Sequence, residues 1–189
     1  MTKKVIVGRS SYVFLVVLAL AAVVAGLTWA FWPIWVLEIR GGWDDQPIKI
    51  VPVAIGDRIT YSYLHSVQKT PVDEVIEISA GGHLTVREAV YGMFGAGLPS
   101  DLPDGTFSVD EAQGKFHISN MSRELPTPWR IRVAFTPGQT IEIHGEKLNL
   151  ASLVSPTKEL AVDVVRRPRL IGDGIITALW RRVHALAAG

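Results

Sequence analysis

Two kinds of apolar pattern divide the chain. No charged residue occurs between Arg9 and Glu38, and the run at 10–35 is apolar throughout rather than along one stripe. About 20 helical residues at ~1.5 Å each cross a hydrocarbon core of ~30 Å, and a lone apolar segment satisfies its backbone in lipid only as a helix. The pattern predicts a single transmembrane anchor over 10–37. Its helix should end between Phe31 and Trp35, because Pro33 has no N–H and disfavours helix at Trp32. A cleaved signal peptide carries a shorter apolar region of about 7 to 15 residues, so the length favours an uncleaved anchor.

Past Glu38 the period shortens to two. Runs at 48–55, 58–67, 72–79, 83–90, 115–118, 131–135 and 139–144 read as strands. Turn residues separate nearly all of them: Gly56-Asp57, Lys69-Thr70-Pro71, Ala80-Gly81-Gly82 and Pro137-Gly138. Alternation places Val75 on the face opposite Ile76 and Ile78, and puts Ile131, Val133 and Phe135 together on one face. Residues 41–47 read as a short hinge, and the Gly- and Pro-interrupted stretch at 91–105 as a loop. The expected fold is mainly β: an antiparallel sandwich or partly closed barrel behind one transmembrane helix, with a C-terminal amphipathic helix.

The domain order is then a basic N-terminus at 1–9, the anchor at 10–37, a β-domain at 38–165 and a basic tail at 166–189. In the tail, Asp173 can cap a helix carrying Ile175, Ile176, Leu179, Trp180, Val183, Leu186 and Ala187 on one side. Charge sharpens this order. Residues 38–165 carry 11 Lys/Arg against 17 Asp/Glu, a net of −6, while the tail has five Arg against Asp173, a net of +4. An acidic body offers no electrostatic footprint for nucleic acid. The tail cations, Arg166, Arg167, Arg169, Arg181 and Arg182, together with Trp180, suit lipid or partner contact. Lys3, Lys4 and Arg9 favour a cytoplasmic N-terminus, while Trp29, Trp32 and Trp35 mark the opposite interface. In a bacterium this geometry puts the β-domain in the periplasm, on the inner membrane.

Candidate chemistry is sparse. Cysteine is absent, which excludes disulfides and thiolate metal sites. His65, His83, His117 and His144 stand singly, without the spacing of a metal motif, and no GxSxG elbow occurs. Neither a metal, a cofactor nor an enzymatic activity is expected. The densest polar stretch is 63–78, where a hairpin could bring His65 and Ser66 beside Glu74 or Glu77; a His65/Glu74 pair is the competing ligand-binding or enzymatic reading.

These residues also carry a resemblance. Tyr63-Leu64-His65-Ser66-Val67, a proline turn, Val72-Asp73-Glu74-Val75, a Gly82-His83-Leu84 turn and Gly92-Met93-Phe94-Gly95-Ala96-Gly97-Leu98-Pro99 occur in that order. Over about residues 50–145 the chain resembles a family of small, membrane-anchored bacterial proteins of unknown function encoded beside TAXI-type TRAP transporters. The resemblance implies an accessory role in solute uptake, with the permease or the solute-binding protein as partner. It marks His65, Ser66, Val67, Glu74, Gly95 and Gly97 as fold or contact positions, and implies no catalytic residue. Ala19, Ala22, Val23 and Gly26 form a small-residue face through which the anchor could pack on such a permease.

Overall fold

The computed structural model describes residues 9–41, 46–66, 69–92, 104–110 and 114–172. The chain divides into two compact units: Met1–Ile34 with Arg167–Gly189, and Trp35–Arg166.

In the first unit, α1 (Arg9–Phe31) contains the apolar span Tyr12–Phe31. Every side chain of that span is exposed except Ala30, which is half-buried. The helix stops where Pro33 predicts. Its end is capped in two steps: the Trp32 amide donates to the Trp29 carbonyl at 3.4 Å, and the Arg169 amide donates to the Trp32 carbonyl at 3.0 Å. A short helix, α2 (Arg169–Gly172), follows; the amphipathic helix expected from Asp173 onward lies outside the described residues.

The second unit is a sandwich of two sheets. The smaller orders its strands β2-β1-β12-β9, where β1 is Pro33–Gly41, β2 Gln46–Pro52, β9 Trp129–Arg132 and β12 Glu159–Pro168. The larger runs β11-β10-β3-β4-β5-β7-β6. Its members are β3 (Arg58–Leu64), β4 (Pro71–Ile78), β5 (Leu84–Tyr91), β6 (Thr106–Asp110), β7 (Lys115–Ser119), β10 (Thr140–Ile143) and β11 (Glu146–Asn149). A two-residue strand, β8 (Arg123–Glu124), pairs beside β5. Pairing is antiparallel, and among the described residues neither sheet closes into a barrel. One core fills the space between the sheets. Leu37, Ile39, Ile131, Leu160 and Val162 enter it from the smaller sheet, and Ile59, Ile76, Ile78, Val86, Ile141 and Ile143 from the larger.

All seven expected strands are present, and the structure adjusts their setting in four places. Residues 33–37, assigned from sequence to the anchor, begin β1, where Val36 and Leu37 are fully buried. Trp35, expected at the membrane interface, packs against the sandwich core with the Arg166 guanidinium 5.0 Å above its ring. The expected hinge is instead the end of a hairpin: Gly41 pairs with Gln46 and Arg40 with Pro47, while 42–45 lie outside the described residues. Finally, β9 ends at Arg132 and the chain bends, so Phe135 is 80% exposed while Ile131 and Val133 are buried.

The anticipated Ala80-Gly81-Gly82 turn joins β4 to β5. A side chain at Gly82 would come within 2.9 Å of the Trp35 ring and 3.1 Å of the Val164 carbonyl, and its φ of +84° also favours glycine.

Candidate functional site

The register of the larger sheet builds the site. Residues directly opposite each other share a face. One row therefore crosses five strands as Tyr61, Glu74, Ala89, Ile118 and Phe107, and the adjacent row as Tyr63, Val72, Tyr91, Phe116 and Val109. The near end of this platform joins the core. At its far end Phe107 and Val109 are exposed, and Phe107 stacks on Phe116 with ring centroids 5.7 Å apart.

Glu74 interrupts an otherwise apolar stripe. Val72, Ile76 and Ile78 on the same face of β4 are fully buried, and Glu74 is only 8% exposed. A carboxylate so placed needs a charged or hydrogen-bonding partner. Arg123 supplies it: its Nη2 donates to Glu74 Oε1 at 2.9 Å. The Arg123 side chain remains 51% exposed, so the guanidinium is gripped on one side and faces solvent on the other.

Aromatic residues frame this pair. Tyr61 and Tyr63 stack at 4.9 Å, and Trp129 meets Tyr61 edge-on at 5.0 Å. Buried Gln139 locks the arrangement from below. Its Nε2 donates to Tyr61 Oη at 2.7 Å and to the Arg132 carbonyl at 3.2 Å, while its Oε1 accepts from the Ala134 amide at 2.8 Å. Burial, then the negative charge of Glu74, holds the Tyr63 phenol well above the ordinary tyrosine value of 10.0. Burial also raises Tyr61, against the hydrogen bond from Gln139, and burial with Glu74 raises Tyr91. All three phenols stay protonated at neutral pH. The arrangement thus offers hydroxyl donors and an outward guanidinium, suited to holding an acceptor or anionic group.

Of the residues singled out from sequence, the structure brings Tyr63 and Glu74 together and leaves His65 and Ser66 elsewhere. Glu74 stands opposite Tyr61, whereas His65 lies past the end of β3, its amide donating to the Thr70 carbonyl at 2.8 Å. Glu74 thus pairs with Arg123, where the competing reading of the sequence set His65 beside it, and Glu77 pairs with Arg87 at 3.1 Å. Ser66 is an exposed turn residue, while Val67, Gly95 and Gly97 lie outside the described residues, as do Trp180, Arg181 and Arg182. His83 and His144 meet Glu124 and Asp57, each at 2.8 Å, on the surface. Among the described residues no group of three or more His, Asp or Glu side chains is arranged to hold a metal.

Sequence reasoning missed Arg123, Tyr61, Tyr91 and Gln139. A signal for Glu74 existed, since an acid at an apolar position of a period-two stripe demands a partner. Nothing local identifies that partner, which lies 49 residues away. A separate cleft of about 320 Å³ is lined by Arg58, Arg87, Glu88, Asn120, Met121 and Ser122. It forms where a bulge in β5 aims Arg87 at Glu77 and at the Met121 carbonyl.

Residues 59–150 match the family described as a domain of unknown function, DUF1850. Neither curated proteins nor solved structures give a match.

Proposed function

We propose that the chain is a membrane-tethered accessory subunit of a TAXI-type TRAP solute-uptake transporter. Its N-terminus is cytoplasmic, its β-domain lies on the periplasmic side of a bacterial inner membrane, and the chain contacts the permease or the solute-binding protein. The observation that carries the reading is the span Tyr12–Phe31, whose apolar side chains stand exposed among the described residues, as those of a lipid-facing anchor would. The family resemblance supplies the partner class. The β-domain then works by binding, without chemistry of its own. Co-purification in mild detergent tests the reading: the permease or solute-binding protein should elute with the tagged chain, and deletion of the chain should lower uptake. Loss of every transporter subunit, together with normal uptake in the deletion strain, rejects it.

A second reading has its own support in the Glu74–Arg123 pair under the three tyrosines. There the β-domain binds a small organic anion at the exposed side of Arg123, replacing the His65-centred version suggested by sequence. Titration of the β-domain with carboxylates, followed by amide NMR, should move resonances around Arg123, Tyr63 and Tyr91 in the wild type and not in Arg123→Gln. Unperturbed wild-type spectra across a carboxylate panel reject this second reading.

A further inference from the structure

We infer that Arg169 and Trp29 form a site for the phosphate of an anionic phospholipid. Within the first unit, the Arg169 guanidinium carbon lies 5.1 Å from the centre of the Trp29 ring. The backbone of the same residue is fixed by its hydrogen bond to the Trp32 carbonyl. The indole ring lies against the guanidinium carbon, while the N–H groups lie in the guanidinium plane and point outward from its edge. That edge matches the geometry of a phosphate, which it can engage through two parallel hydrogen bonds.

The setting supplies the counter-ion argument. Trp29 and Trp32 are 52% and 61% exposed, at the terminal turn of a span just long enough to cross a bilayer. Indole rings favour the headgroup level, so an arginine over the Trp29 ring sits at the border of the hydrocarbon, where an unpaired cation is costly. Among the described residues of this unit, 9–34 and 167–172, none is acidic. A phospholipid phosphate is the anion present at that depth, and a lipid with net negative charge is favoured over a zwitterionic one.

The inference rests on reading α1 as a membrane span, and the experiment separates the two. Native mass spectrometry of the full chain released from nanodiscs of mixed phosphatidylglycerol and phosphatidylcholine should show preferential retention of phosphatidylglycerol. Arg169→Ala and Trp29→Leu should each cut that retention about tenfold, with Arg169→Lys between them and the wild type. Unchanged retention in Arg169→Ala, with the near-ultraviolet dichroism of the β-domain intact, overturns the site. If Arg169→Ala fails to fold, unchanged retention in Trp29→Leu does so. Inorganic phosphate bound in lipid-free detergent with the same Arg169 dependence would assign the ligand to solution and overturn the lipid. Release of the wild-type chain from membranes by alkaline carbonate would instead reject the span itself.

Discussion

Helix α1 and the strands of the sandwich are both rich in Val, Leu and Ile, yet their side chains meet opposite surroundings. Leu15, Val16, Leu18 and Val23 on α1 are more than half exposed, whereas Ile59, Ile76, Ile78 and Ile141 on the strands are fully buried. The difference lies in patterning. An apolar residue at every second position makes one face that a second sheet can cover, so the chain buries it internally. A helix apolar on every side has no polar face to turn to water, which is the pattern of a membrane anchor or a signal sequence.

Core truncation should break the comparison most sharply. Ile76→Ala should lower β-domain stability by about 3 kcal/mol by emptying packed space, whereas Leu18→Ala should leave denaturant unfolding of the β-domain unchanged. Equal losses would refute the contrast between the two regions. Removing the partner of Glu74 comes next. Arg123→Ala should cost about 1 to 2 kcal/mol, less than a fully buried pair would, because the guanidinium is half in water. Glu74→Leu combined with Arg123→Met should recover most of that loss, since no buried charge is then left unpaired.

The tyrosines provide a test in pH. Their folded-state values lie above those of the unfolded chain, so their contribution to stability is complete below about pH 10 and is lost as pH rises toward the folded values. Urea midpoints should therefore fall with rising pH above about 10, and Tyr63→Phe should flatten that fall. A midpoint independent of pH up to about 11.5, roughly one and a half units past the ordinary value, would contradict the buried, Glu74-facing placement of these phenols. The smallest effect on folding is expected at Gly26, where an added Cβ meets nothing within 4 Å. Gly26→Leu should leave stability and membrane fractionation intact while weakening co-purification of the proposed transporter partner. Undiminished co-purification would reduce α1 to a tether.

The strand runs were readable because alternation and turn chemistry are local properties. The runs at 58–67 and 72–79 lead into the hairpin of β3 and β4 with the expected proline turn, and Ile76 and Ile78 face the core as their spacing predicts. The strands missed were short or carried a misleading charge. Residues 159–168 carry Glu159 and Asp163, and from Arg166 onward they read as the basic tail; β12 exists there because β1 and β9 pair with it on either side. The span at 33–37 read as anchor because its composition continues that of α1, and only strand pairing separates Val36 and Leu37 from the helix.

Sequence by itself determined the long apolar helix and its end at Pro33, a β-rich body built from hairpins, and two members of the candidate site, Tyr63 and Glu74. Each follows from composition, spacing or backbone restriction within a few residues. Tertiary structure decided that the body is an open two-sheet sandwich, that Trp35 packs on its core, and that Glu74 answers to Arg123 instead of His65. Those outcomes depend on which strands become neighbours. Register converts positions far apart in the chain into adjacent side chains, and no local pattern encodes that choice.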